Sequence, residues 1–200
     1  LTSRERNVMI HSFLVIRNGY AVVDAKFYPY NGQTLHRVAS VTKSLMTTLI
    51  GIAIDQGKLD LDDKMVSFFP GRSITNLDKS KEAITVRHQA SMSSGLDCTA
   101  EHDELTLRQM QDSPDFVQFA LDRKVAWEPG THFVYCSPAI HLPSPILQQA
   151  TGATALDFAR QYLFEPLGIE EVMWPRDPQG YDDGWADASF NPHDMAKLGF

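Results

Sequence analysis

The first apolar pattern along the chain has the short period of a β-strand and is repeated. Residues 12–28 read SFLVIRNGYAVVDAKFY, with two β-branched and aromatic runs on either side of Asn18-Gly19. Asn-Gly is strongly favoured in two-residue hairpin turns, because both turn positions need a positive φ. The pattern therefore predicts an antiparallel β-hairpin near the start of the chain.

The pattern then changes to the spacing of a helix. Apolar side chains recur at intervals of three and four residues through residues 42–56, which predicts a helix with one buried face. Ser40 lies where an N-cap or first-turn residue stands, and Gly57 lies where a C′ glycine ends a helix.

Later helix starts are marked by polar cap residues followed by apolar positions at helical spacing. These starts are Thr85, Ser113-Pro114-Asp115 with a helix to about Lys124, Thr154 with a helix that Gly168 ends, and Asn191-Pro192. Residues 128–137 predict a turn and a short extended segment. One hairpin followed mostly by helices and structured loops is typical of the α+β class.

Composition and charge exclude several classes of function. The 200 residues fit one domain over positions 1–200, with 43% hydrophobic and 22% charged residues. A net charge of −7, with no basic run, argues against a nucleic-acid partner. The longest apolar run, residues 45–54, contains two threonines and a glycine and is too short for a membrane span.

The two cysteines, Cys98 and Cys136, fit no metal-binding motif, and the histidines show no metal-ligand spacing. We therefore expect neither a zinc site nor a disulfide framework. A thiol nucleophile formed by Cys136 and His141 is an alternative that the spacing does not favour over a small buried cysteine.

Ser40 and Lys43 form the one Ser-x-x-Lys pattern in the sequence. With 14 serines and eight lysines in 200 residues, about half a match is expected by chance, so the pair alone also fits an ordinary helix start. Residues three apart share a helix face, which would place the Lys43 amine beside the Ser40 hydroxyl. A serine needs such a base, and a helix N-terminus favours an oxyanion.

Five segments that follow one another in order give this pair its context. They are residues 36–65 (HRVASVTKSLMTTLIGIAIDQGKLDLDDKM), 88–96 (HQASMSSGL), 129–137 (PGTHFVYCS), 150–169 (ATGATALDFARQYLFEPLGI) and 174–199, from WPRDPQG to DMAKLG. The series resembles the serine β-lactamase and penicillin-recognising superfamily. It is most similar to the class C β-lactamase-like branch, which also holds esterases, D-aminopeptidases and amide hydrolases.

The resemblance implies a β-lactamase-like α+β fold, with a helical region against an antiparallel sheet. It also implies roles for particular residues: Ser40 as the acylated nucleophile, with its N–H in the oxyanion hole, Lys43 as its base, and Tyr135 as a proton shuttle. Ser137 stands where the family usually has Asn and would contact Lys43 or substrate. The implied substrate is a small-molecule ester, amide or β-lactam, with no metal or organic cofactor.

Other features remain open at this point. Trp185 is a candidate to line a substrate cleft, with packing of its indole in the core as the alternative. Pro143 and Pro145 interrupt a segment that is continuous helix in the family, so the helix either starts near Pro145 or is kinked. Gln89 and Ala90 replace large apolar residues.

The family's third motif lies downstream of the DMAKLG segment, so we expect the C-terminal strands to be absent from this chain. A non-catalytic binding protein on the same scaffold is therefore the alternative function.

Overall fold

A computed structural model describes residues 9–98 and 104–200, in which helices and two small antiparallel sheets form an α+β arrangement. The strands are β1 (Ser12–Arg17), β2 (Tyr20–Lys26), β3 (His36–Arg37) and β4 (Ser189–Phe190). The helices are α1 (Val41–Asp55), α2 (Lys79–Glu82), α3 (Val86–Ala90), α4 (Glu104–Gln111), α5 (Phe116–Leu121), α6 (Ser137–His141), α7 (Pro143–Thr151), α8 (Ala155–Ala159) and α9 (Pro192–Gly199). A 3-10 turn spans Met65–Phe68, and a π-helical turn spans Arg160–Phe164.

The predicted hairpin is confirmed, because β1 pairs with β2 in antiparallel register. Its turn residues, Asn18 and Gly19, have φ values of 51° and 79°, as the tight hairpin turn requires. The register shifts between Val15 and Ile16, which marks a β-bulge.

The predicted long helix is α1, and it lies at the centre of the main core. It ends as expected, since Gly57 follows it with a φ of 67°. Its buried face packs with apolar side chains of α7 and α8 in one cluster. The members from these three helices are Leu45, Met46, Leu49, Ile50, Ala53, Ile146, Leu147, Ala155, Phe158 and Ala159. Each fully buried large side chain stabilises the fold by about 1.5–3 kcal/mol. This packing holds α1, and with it the N-terminus of the helix, in a fixed position.

The cap predictions are confirmed at Thr154 and Asn191, whose side chains accept from backbone N–H groups of α8 and α9. Thr85 is the N-cap residue of α3 as predicted, but the capping contact is the donation of its backbone N–H to His88 Nδ1 over 3.2 Å, and its hydroxyl makes no capping hydrogen bond. The helix predicted from Ser113 to Lys124 is shorter: Asp115 is the N-cap of α5, and the helix ends at Leu121. The Asp115 carboxylate, which accepts the Gln118 N–H, satisfies the helix start better than Pro114, the residue directly before it.

Pro143 and Pro145 divide the segment into two helices rather than kinking one. The first helix, α6, ends at His141, and α7 begins at Pro143. Both prolines then lie in the first turn of α7, where no intrahelical partner is needed for a backbone N–H. A helix thus starts at Pro143, two residues before Pro145, after a one-residue interruption at Leu142, which keeps a right-handed helical conformation.

The expectation of no disulfide is wrong. Cys98 and Cys136 are bonded to each other across 38 residues of sequence. Neither cysteine belongs to a recognisable spacing motif, so only the fold brings the two sulfurs together. The bond ties the loop after α3 to the N-cap of α6, beside Tyr135.

The hairpin packs on one side against α9, and Leu14 and Ile16 of β1 lie beside Met195 and Phe200. Several large apolar side chains of the hairpin remain exposed, including Phe13, Tyr20 and Val22. Within the described part of the chain, no helix combines the length and the apolar character that crossing a bilayer requires.

Candidate active site

The chain enters the candidate site through a strained residue. Ala39, directly before Ser40, has a φ of 45°, in the left-handed region that L residues other than glycine rarely adopt. Hydrogen bonds on both sides hold it there: Val38 N–H donates to Ala188 O, and Asp187 N–H donates to Ala39 O. Backbone strain of this kind persists only where the surrounding structure determines it, and it is frequent at functional sites.

Ser40 is the N-cap residue of α1, yet its side chain makes no capping hydrogen bond. The residue is exposed. Lys43 lies one turn later and is 4% exposed, and its Nζ donates to Ser40 Oγ over 3.1 Å. The structure therefore places the two atoms within hydrogen-bond reach at the start of a helix.

Two further groups hold the Lys43 amine. It donates to the backbone carbonyl of Trp185 over 2.7 Å, and it lies 4.8 Å from the ring centroid of Tyr135. The Trp185 contact crosses 142 positions of sequence, which no local pattern reveals. These contacts fix the amine on the same side of α1 as the Ser40 hydroxyl.

Tyr135 lies on an extended segment that is bonded to the loop after α3. Val134 N–H donates to Met92 O, and Gly130 N–H donates to Ser93 O. The Tyr135 side chain is 42% exposed. The aromatic ring thus stands at the surface next to Lys43, where a substrate can reach it.

The two predicted substrate-contact residues are mostly buried. Ser137 is 2% exposed in the first turn of α6. The indole of Trp185 is 7% exposed and packs with Met110, Phe116 and Ile140, as the core-packing alternative expects. Trp185 contributes to the site through its backbone carbonyl rather than through its ring.

A buried histidine that the sequence patterns did not assign to the site lies close behind it. His141 Nε2 and Asp177 Oδ2 are 2.9 Å apart, and both side chains are fully buried. Asp177 Oδ1 accepts from the N–H groups of Gln179 and Tyr181. The thiol-nucleophile alternative is excluded, because Cys136 is in a disulfide and His141 is paired with Asp177.

A second buried carboxyl belongs to the same region. Burial raises the pKa of Asp183 to about 6; the proximity of His141 opposes this, and the negative charge of Asp177 adds to it. Trp174 Nε1 donates to the backbone carbonyl of Asp183. The loop that carries Trp185 is therefore fixed by buried polar contacts as well as by packing.

The arrangement suits nucleophilic chemistry. An exposed hydroxyl lies beside a buried amine, and both stand at the N-terminus of α1, where the helix dipole favours developing negative charge. In the described ranges, no three His, Cys, Asp or Glu residues are grouped so as to hold a metal ion.

Comparison with known proteins agrees with the motifs. The sequence profile of the beta-lactamase family matches residues 8–198. The chain is 27% identical over 168 residues to a beta-lactamase of Escherichia coli K12, covering 84% of this chain and 42% of that protein. It is 25% identical over 170 residues to a D-aminopeptidase of Gluconobacter oxydans, covering 83% of this chain and 31% of the relative. The chain thus spans less than half the length of either curated relative.

Solved structures give the same fold. The structure described as EstCE1, a hydrolase with promiscuous acyltransferase activity, superposes with a TM-score of 0.76 at 19% identity. The superposition covers 94% of this chain and 65% of that one. At this identity the likeness is one of fold.

Proposed function

The chain belongs to the beta-lactamase family, and from that membership we propose that the protein is a serine hydrolase that forms an acyl-enzyme on Ser40. The observation that carries the proposal is the 3.1 Å contact between Ser40 Oγ and Lys43 Nζ at the N-terminus of α1. A serine hydroxyl is a weak nucleophile unless a base lies within hydrogen-bond reach, and Lys43 is that base in the proposal.

In the first half-reaction, the neutral Lys43 amine accepts the Ser40 proton as Oγ attacks the substrate carbonyl. The carbonyl oxygen becomes an oxyanion, which the Ser40 N–H at the helix start stabilises. The bond to the leaving group then breaks, and the leaving group takes a proton relayed from Lys43 through the Tyr135 phenol. An ester between Ser40 and the acyl group remains.

In the second half-reaction, water replaces the leaving group. Tyr135 and Lys43 remove a proton from the attacking water, a second oxyanion forms, and the bond to Ser40 Oγ breaks. The proton returns to Ser40, so the enzyme is regenerated and the net reaction is hydrolysis. No step in this sequence requires an electron donor or acceptor.

We favour an ester or a small amide over a β-lactam as the substrate. A cleft of about 480 Å³ adjoins Lys43 and Tyr135, and Lys43 is the one Lys, Arg, Asp or Glu among its lining residues in the described chain. Phe133 and Met92 supply apolar surface there. Such a lining suits an uncharged acyl or alkyl group, because a buried charge without a partner is costly.

A substrate panel tests this proposal. We expect hydrolysis of short p-nitrophenyl esters and of p-nitroanilide amides by the protein, with slower turnover of a chromogenic cephalosporin. Ser40→Ala should abolish ester turnover, because it removes the nucleophile. Lys43→Ala should reduce turnover by about 10²–10⁴-fold, the usual contribution of a general base. Full turnover by folded Ser40→Ala would refute the assignment, and faster cephalosporin turnover would reverse the substrate preference.

A further inference from the structure

The loop from Trp174 to Asp187 contacts Lys43 through a backbone atom, the Trp185 carbonyl. That carbonyl accepts from Lys43 Nζ over 2.7 Å. A neutral amine has two N–H bonds and one lone pair, so an acceptor that takes one N–H directs where the lone pair points. The position of this carbonyl therefore decides whether the lone pair faces Ser40 Oγ, 3.1 Å away.

The residue before Trp185 connects the carbonyl to a buried histidine. Gly184 N–H donates to His141 Nδ1 over 3.3 Å. Since Nδ1 accepts, Nε2 carries the ring proton and donates to Asp177 Oδ2 over 2.9 Å. The His141 imidazole thus links α6 to the loop at two points, Asp177 and Gly184, with the ring proton on Nε2.

Close packing around Gly184 prevents the loop backbone from shifting relative to the end of α6. A Cβ at position 184 would lie 2.9 Å from Ile140 O and 3.0 Å from His141 O. Glycine therefore lets the loop backbone lie directly against the end of α6. A change at His141 is transmitted along the backbone of Gly184 and Trp185 to the Trp185 carbonyl, two peptide units beyond the Gly184 N–H.

Several groups surround the His141 ring. Asp177 faces Nε2, the Gly184 N–H faces Nδ1, and Asp183 lies close enough on the same loop to interact with the ring electrostatically. Phe116 contacts the ring edge-on, with ring centroids 5.9 Å apart. Nδ1 is the acceptor of the Gly184 N–H, so the ring holds Gly184 in place through this contact.

We propose that His141, held by Asp177, is a positioning residue: it places the backbone of Gly184 and Trp185 so that the Trp185 carbonyl orients the Lys43 amine toward Ser40. This inference rests on the proposed function for its catalytic meaning, but the placement of Lys43 can be measured without any substrate. His141 itself contacts neither the hydroxyl nor the amine among its described hydrogen bonds.

The variants distinguish an effect on the orientation of the Lys43 amine from a general loss of protein stability. His141→Leu removes both ring nitrogens and keeps an apolar side chain, whereas His141→Gln keeps one donor and one acceptor. Gly184→Ala displaces the same stretch of loop backbone by a steric clash and leaves the side chains of His141 and Asp177 intact. The matched control is His193→Leu, which removes a histidine whose Nε2 lies 3.0 Å from Asp24 Oδ2 at the surface.

The first readout is the rate at which a fluorophosphonate labels Ser40 between pH 6 and pH 10, followed by intact mass. We expect His141→Leu and Gly184→Ala to lower the plateau rate about 10²-fold, the effect of a misplaced catalytic group. His141→Gln should recover most of the plateau rate, and His193→Leu should match the wild type.

The second readout is the side-chain amine signal of Lys43 in ¹⁵N-lysine spectra, assigned by its loss in Lys43→Arg. We expect a signal protected from exchange in the wild type and in His141→Gln, and its loss in His141→Leu and Gly184→Ala. An unchanged signal and labelling profile in a folded His141→Leu or Gly184→Ala protein would overturn the inference, as would the lack of a protected signal in the wild type. If Ser40 is not labelled in the wild type but the Lys43 signal responds to His141, the proposed function fails and the positioning role stands.

Discussion

At the scale of single residues, some contacts in the site can be predicted from local spacing in the sequence, and others cannot. The Ser40–Lys43 contact spans three positions, so helical spacing predicts it once a helix is expected. The contacts of Lys43 with Trp185 and of His141 with Asp177 span 142 and 36 positions. These pairs depend on how the whole chain folds, and no local pattern specifies them.

Asp183 gives a prediction at this scale, because burial raises its pKa to about 6 from an ordinary value of 3.8. Between these values the folded state binds more protons than the unfolded state, so the free energy of unfolding falls as pH rises through that window. Asp183→Asn cannot ionise and should escape this loss. We expect it to raise the free energy of unfolding by about 3 kcal/mol at pH 7.5, and to change it little at pH 4.

Urea unfolding of wild type and Asp183→Asn across pH 4 to 8 measures this difference. Asp112→Asn, at an exposed aspartate, is the matched control and should leave the pH dependence of the wild type intact. An Asp183→Asn protein with the wild-type pH dependence would show that the carboxyl does not carry a raised pKa.

At the scale of helices and strands, local signals predicted the elements well wherever one residue type has a distinct physical role. The Asn18-Gly19 turn, the glycine after α1, and the caps at Thr154 and Asn191 are all of this kind. The start of α5 was placed too early, because Pro114 and Asp115 are both good start residues and only the hydrogen bond from Gln118 N–H decides between them. Pro143 opens α7, whereas the sequence left open a helix start near Pro145 or a kink.

Lys81 shows how a buried charge joins two elements. Its side chain in α2 is fully buried, and Nζ donates to Thr75 O and to Leu121 O at the end of α5, each over 2.8 Å. Burial lowers the pKa of Lys81, against the opposing charges of Asp122 and Asp78. The Leu121 carbonyl at the end of α5 and the Thr75 carbonyl in the loop before α2 therefore both accept from the Lys81 amine.

We expect Lys81→Met to lower the free energy of unfolding by about 2 kcal/mol, because the methionine fills the space but leaves both carbonyls without that donor. Lys79→Met, two residues earlier in α2 at an exposed position, should change it by less than about 0.5 kcal/mol. Denaturant unfolding of both variants measures the effect. Equal free energies of unfolding for the two variants would show that the hydrogen bonds of Lys81 do not stabilise the fold.

At the scale of the whole molecule, the order of five motifs carried more information than any one of them. The resemblance predicted from that order is confirmed by the family match over residues 8–198 and by the fold of the solved structures. The disulfide between Cys98 and Cys136 was missed for the opposite reason. A pair that no motif marks becomes visible only when the fold brings the loop after α3 against the start of α6.

The central claim is that Ser40 is an activated nucleophile with Lys43 as its base. Intact mass before and after treatment with a fluorophosphonate tests it most directly, with Ser40→Ala and Lys43→Ala in parallel. We predict one adduct on the wild type, none on Ser40→Ala, and much slower labelling of Lys43→Ala. An unlabelled wild-type protein that is folded, or an adduct that persists in Ser40→Ala, would contradict the claim.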